Sequence, residues 1–147
     1  MKFKKFVSRY TRPDWSTTEA KSRLAMIIKN DSHFPEINGH RLKEDKKILD
    51  EYIAQHYPYR DYQNDRKPFE DCWADYVIYQ KSLKSYQPEI GDRVRLDDRY
   101  YVSRNDTKRI FTVLSEPYML CGTKVVWLSE KGAYAYNGIT AIPEYVP

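Results

Sequence analysis

Residues 2–10, KFKKFVSRY, place Phe3, Phe6, Val7 and Tyr10 three or four positions apart, the spacing of one helical face. Residues 16–31, STTEAKSRLAMIIKND, open with a capping box. There the Ser16 side chain is expected to accept from a backbone N–H three residues on, and Glu19 to reach back. The helix that follows is expected to turn Ala20, Leu24, Ile27 and Ile28 inward and to leave Lys21, Arg23 and Lys29 off that face. Residues 43–56, KEDKKILDEYIAQH, complete a third helix running from about Leu42, with Ile48, Leu49, Tyr52 and Ile53 as its stripe. Arg12-Pro13, Asn30-Asp31-Ser32, Asn38-Gly39 and Tyr57-Pro58 punctuate the three segments with helix stops and turn chemistry. Residues 1–56 therefore read as a small helical unit.

Outward from this unit, residues 57–67 (YPYRDYQNDRK) are polar, tyrosine-rich and read as a linker. Residues 68–86 read as a connecting helix. Pro68 suits its first turn, and Phe69, Cys72, Trp73, Tyr76, Val77, Gln80 and Leu83 mark its apolar face. From residue 87 to 147 the period changes. Arg93–Leu96 alternates, and β-rich runs are expected at Tyr100–Ser103, Arg109–Leu114, Lys124–Leu128, Ala133–Tyr136 and Ile139–Ile142. Several short strands at this spacing, parted by turn residues, predict a small closed or half-closed antiparallel barrel. The fold class is thus α+β.

Of the 147 residues, 25 are basic and 21 acidic, and the imbalance lies wholly before Pro88. A net charge of +4 permits a nucleic-acid or acidic-protein partner without demanding one. Fourteen tyrosines against five phenylalanines favour shallow cores and interfaces, because tyrosine joins an apolar body to a polar tip. The two cysteines, Cys72 and Cys121, form no CxxC, so a reducing compartment is expected. No apolar run approaches the roughly 20 residues a membrane helix needs. The expectation is a soluble, intracellular protein with no membrane partner.

Catalytic constellations are missing from the reading. His33, His40 and His56 have no metal-ligand spacing, and no phosphate-cradling glycine loop or nucleophile elbow is present. Cys72 falls on an apolar stripe and reads as a small core residue, whereas Cys121 precedes Gly122 in a turn and reads as exposed. Trp73 and Trp127 both fall in periodic runs and are expected in the core. No enzyme activity, metal or cofactor is expected.

Binding is the better reading, and one patch is sharper than the rest. Arg93 and Arg95 share a strand face because strand side chains alternate, with Val94 and Leu96 inward. Arg99, Tyr100, Tyr101, Arg104, Lys108 and Arg109 follow. Interleaved arginine and tyrosine suit stacking on bases and equally suit a protein hot spot. A second basic patch is Lys2, Lys4, Lys5, Arg9 and Arg12, and a third strip is Tyr57, Tyr59, Arg60, Tyr62 and Arg66. Each patch could instead be the solvated face of its element.

Phe3-x-x-Phe6, Leu24 to Ile28, Asp31-x-x-Phe34-Pro35 and Ile48-Leu49-x-x-Tyr52-Ile53 recur in one order that resembles the YozE family of small bacterial proteins. That resemblance covers about residues 3–56 and implies a sterile-alpha-motif-like helical fold rather than an activity. Gly91-Asp92-x-Val94-x-Leu96, Phe111-Thr112-Val113 and Gly122-Thr123-Lys124-Val125-Val126 resemble small β modules of phage and mobile-element proteins of Gram-positive bacteria. A Gly-Asp-x-Val run entering a strand is also similar to Src-homology-3-like barrels, which makes that the expected barrel type. The resemblances imply a non-enzymatic phage or mobile-element protein that engages and inhibits a host nucleic-acid-handling complex, as anti-CRISPR or anti-restriction proteins do. Its partner would be a host protein or ribonucleoprotein complex. The alternative is a regulatory protein that binds DNA or RNA directly. Oligomeric state stays open.

Overall fold

The computed structural model describes residues 1–11, 20–57, 66–97 and 99–145. The chain divides into two units, Met1–Gln80 together with Tyr145, and Lys81–Glu144. The class is mixed helix and sheet. Ser16–Glu19, Arg12-Pro13, Trp15 and most of the 57–67 strip lie outside the described residues.

The first unit holds α1 (Phe3–Val7), a 3-10 turn (Ser8–Thr11), α2 (Ala20–Lys29), α3 (Leu42–His56) and most of α4 (Arg66–Ser82). Phe3, Phe6, Val7 and Tyr10 are all buried, as their spacing requires. The Phe3 ring is the hub: its centroid lies 6.2 Å from Phe34, 6.2 Å from Phe69, 5.4 Å from Trp73 and 5.1 Å from Tyr76. The last three sit on α4, so the helix read as a connector is a core helix of this unit. Each such ring contributes roughly 1.5–3 kcal/mol by leaving water.

Two helices are rotated from the expected faces. In α2, Ser22, Ala25 and Ile28 are buried, while Ile27 is 53% exposed. Lys21, expected off the face, donates to Asp75 Oδ2 at 2.8 Å, and Tyr10 Oη donates to the same oxygen at 2.6 Å. This shared acceptor holds Lys21 against α4 in the rotated helix. In α3, Leu42, Leu49 and Ile53 are buried but Ile48 is 48% exposed. Here Lys46 bridges Asp50 and Glu70 of α4, and Arg66 meets both from the other helix.

Asp31 ties the turn after α2 to the end of α3. Its Oδ2 accepts from Tyr52 and Tyr57 at 2.6 Å each, and its Oδ1 takes the His33 N–H at 2.9 Å. Gly39 adopts φ +78°, and a Cβ there would collide with Gln80 Nε2 and Tyr76 Oη. Only glycine meets both demands.

Among the described residues of the second unit, six strands form two antiparallel sheets. They are β1 (Arg93–Leu96), β2 (Phe111–Thr112), β3 (Tyr118–Leu120), β4 (Thr123–Leu128), β5 (Gly132–Ala135) and β6 (Ile139–Ala141). The sheet orders are β2-β1-β6 and β3-β4-β5. The segment 111–114 belongs to both: it pairs with β1, then meets β4 through the Val113–Leu128 bridge, Leu114 N–H to Trp127 O at 2.8 Å and Ser129 N–H to Thr112 O at 3.0 Å. Val94, Leu96, Phe111, Val113, Val126, Leu128 and Ile139 form the core between the sheets.

The described strands do not close a barrel. A 3-10 turn, Tyr136–Gly138, carries the chain from β5 to β6 and makes a corner where a ladder would be needed. Tyr100–Ser103 is not a strand. Ser103 accepts from the Asp106 N–H and caps a short helix, α5 (Arg104–Thr107). The missed strand β3 joins β4 through Cys121-Gly122, at φ +49° and +79°. Two consecutive positive φ values make a two-residue hairpin turn of the type that matches strand twist.

Candidate functional site

The alternation of β1 turns Val94 and Leu96 into the core and leaves Arg93 and Arg95 exposed. Arg93 is engaged, 3.1 Å from Glu144. Arg95 lies opposite Thr140 of β6. After β1 the Asp97 carboxylate accepts the Arg99 N–H at 3.0 Å, a local turn that projects Arg99 outward.

Tyr100 is pinned. Its hydroxyl donates to Asn137 Oδ1 at 2.9 Å, and its ring packs so closely on Gly138 that a Cβ there would sit 2.9 Å from it. With Tyr100 held and Val102 packed on the core, Tyr101 between them points away and is 94% exposed. Such a ring has no packing reason to be aromatic. The loop then enters α5, which lies beside β1 and presents Arg104 and Lys108 to solvent.

Arg109 belongs to a different arrangement. It reaches Asp106 at 3.3 Å and Glu130 at 2.7 Å, and its guanidinium lies 5.1 Å from the Phe111 ring centroid. Lys131 pairs with Asp106 as well, and its hydrogen bond is the main reason that the Asp106 carboxyl titrates below the ordinary range. Of the seven residues expected at the site, Arg93 and Arg109 are thus committed to acids of their own unit. Arg95, Arg99, Arg104 and Lys108 make no ion pair among the described residues, and Tyr101 stands among them in sequence.

The second basic patch is largely spent. Lys2 pairs with Glu36 at 2.9 Å, Lys4 donates to Asp31 O at 2.7 Å, and the Arg9 guanidinium stacks 3.8 Å above the Phe6 ring. Lys5 is exposed, and Arg12 lies outside the described residues. In the third strip, Tyr57 is tied to Asp31 and Arg66 to Asp50 and Glu70, while Tyr59, Arg60 and Tyr62 lie outside the described residues.

Sequence reading missed an apolar surface. Trp127, expected in the core, is 49% exposed. Leu128 and Val126 occupy the core face of β4, so Trp127 between them must face out. Cross-strand pairing puts Tyr118 and Leu120 of β3 on that outer face, and the Leu114–Trp127 hydrogen bond adds Leu114. The alternation in Val125-Val126-Trp127-Leu128 held the signal, but two apolar faces on one strand hid it.

Cys121 is exposed at the hairpin tip and Cys72 is buried in α4, where burial pushes its thiol up to about 12. Among the described residues, no three His, Cys, Asp or Glu side chains gather as a metal ion would need. No helix of the described residues is long and apolar enough to cross a membrane. Compared with known protein families, with curated proteins and with solved structures, the chain matches none.

Proposed function

We propose that this chain is a non-enzymatic binding protein of a phage or mobile element, acting in the bacterial cytoplasm to occlude a surface of a host complex that handles nucleic acid. The observation that carries the reading is Tyr101, 94% exposed and flanked in sequence by cations free of ion pairs with described residues. A solvated tyrosine between arginines is the composition of an interface anchor. The partner we infer is a protein or ribonucleoprotein surface with acidic groups, contacted by Arg95, Arg99, Tyr101, Arg104 and Lys108. Inhibition would follow from occlusion alone, so no reacting group is required.

Fold-level likeness supports the same assignment without carrying it. We read the second unit as an open relative of the Src-homology-3 barrel, on its sheet orders and the 3-10 turn before the last strand. We read the first as YozE-like, because Phe3, Phe6, Phe34, Leu49 and Ile53 are all buried there.

The test is capture from a Gram-positive lysate by tagged protein, with and without nuclease. The expected result is a nucleic-acid-handling protein complex that survives nuclease and is lost when the five anchors become alanine. The variant's melting temperature should be unchanged, since exposed substitutions of this kind move stability by about 0.5 kcal/mol or less. A catch indifferent to the five substitutions would overturn the assignment. The second reading, direct binding of DNA or RNA, is favoured by the same exposed ring and cations, which could stack on a base and neutralise phosphates. It predicts affinity that falls steeply with salt, so a salt-insensitive or absent shift by the purified protein eliminates it.

A further inference from the structure

The outer face of the β3-β4-β5 sheet carries Leu114, Tyr118, Leu120 and Trp127, between 38% and 52% exposed. They surround Val125, which is buried to 6% although it points away from the core. This side of the sheet is therefore already packed into a continuous apolar surface. We propose that this face docks on the same face of a second copy of the chain. The inference is independent of the basic loop and of its partner.

Three observations select a second copy. The first is charge. The face positions on β3, β4 and β5 are Tyr118, Leu120, Thr123, Val125, Trp127, Ala133 and Ala135, and none is charged. An isologous contact sets one patch against its own copy, so a charge near the axis would meet its like, and this face carries none. A nucleic acid would find no cation here.

The second is shape. Leu114, Tyr118 and Leu120 crowd the β3 side of the face, while Ala133 and Ala135 leave the middle of the β5 side low, with the Trp127 ring reaching only toward Gly132 at its end. A two-fold axis along the strands lays the β3 side of each copy over the β5 side of the other. Large then faces small in both directions, which is the self-complementarity an isologous interface requires. Facing sheets aligned in this way are an ordinary packing.

The third is area. The four side chains leave on the order of 400 Å² of apolar surface open, within the roughly 300–600 Å² of a monomer's largest patch, which is often a functional one. That is about half of the ~800 Å² each partner gives to a standard interface, close to the apolar share such interfaces show. Strand-edge pairing is the poorer route. β3 has three residues, and Pro117 just before it has no N–H to offer.

The test is sedimentation equilibrium of the full chain in reducing buffer, so that a Cys121 disulfide cannot mimic association, from about 10 µM to about 1 mM. The expected mass rises from 17.6 kDa toward twice that value. Leu120→Lys and Leu114→Glu should each hold the monomer mass across the range, with unchanged circular dichroism and melting temperature. Two positions are used so that a folding defect in one leaves the other informative. A wild type that stays at 17.6 kDa throughout overturns the proposal. So does dimerisation of both folded variants at wild-type strength. A monomer that instead loses a foreign protein on Leu120→Lys would assign the face to that protein and likewise overturn it.

Discussion

Lys81 Nζ lies 3.0 Å from Asp92 Oδ1, with the two side chains only 8% and 7% exposed. Both belong to the second unit, and both make further hydrogen bonds. Lys81 also donates to the Glu144 carbonyl at 3.2 Å, while Asp92 takes the Tyr86 hydroxyl and the Glu89 N–H. Removing one partner strands the other charge away from water. Asp92→Ala is expected to destabilise the second unit by about 3–5 kcal/mol. Lys81→Met combined with Asp92→Leu should recover much of that loss, because the desolvation cost goes with the charges. Urea unfolding followed by Trp127 fluorescence, in a Trp15→Phe, Trp73→Phe background, measures both.

Asp31 makes the first unit acid-sensitive. Hydrogen bonds from Tyr52, then from Tyr57, hold its carboxyl at about 2 against an ordinary 3.8. A depressed folded-state value means that the stabilisation is complete above 3.8 and lost as pH falls toward 2. The melting temperature of the first unit should therefore drop steeply across that window. Asp31→Asn should be less stable at neutral pH and should lose this part of the acid dependence. An unchanged acid profile in the variant would assign the sensitivity to another carboxylate.

Gly39→Ala is expected to cost the first unit about 1–3 kcal/mol or more, through its left-handed backbone and the collision with Gln80 and Tyr76. Adding Gln80→Ala should relieve the side-chain part and leave the backbone part. A calorimetric scan of the two variants separates them.

The two thiols should differ sharply. Cys121 is exposed and should react with a thiol reagent in the native protein, whereas buried Cys72, with its thiol pushed up to about 12, should react only on unfolding. Cys121→Asn should stabilise the hairpin by about 0.5–1 kcal/mol, since asparagine accepts positive φ far more readily than cysteine. Two thiols titrating at once in native buffer would contradict this packing.

Helical periodicity located α1 and the α4 face from Phe69 to Gln80, because one face of each is apolar and the other polar, but it ran the helix on to 86 and counted Leu83, which lies past its end at Ser82. It misplaced Ile27 and Ile48 because α2 and α3 carry adjacent apolar residues. Which of two neighbours turns inward is a matter of tertiary packing, and the rotation adopted brings Lys21 to Asp75 and Lys46 to Glu70, partners 54 and 24 residues away. The strand at 118–120 was hidden by its three-residue length and by Pro117. The basic loop was legible as exposed through the alternation of Arg93 and Arg95. Its division into committed and uncommitted cations was not, since Glu144 lies 51 residues from Arg93 and Glu130 lies 21 from Arg109.

The formal charge of this chain misdirects anyone who reads it as a handle. All of the +4 excess falls before residue 88, where Lys2, Lys21, Lys46 and Arg66 are cancelled by their own carboxylates. The two units share that surplus equally, +2 in Met1–Gln80 (15 basic residues against 13 acidic) and +2 in Lys81–Glu144 (10 against 8), yet the second holds the cations left uncancelled in the basic loop. Retention on an ion-exchange column would report the two units alike. Recognition would be decided by where the unpaired cations of the basic loop sit, felt by a partner at contact range and invisible to any measure of overall charge.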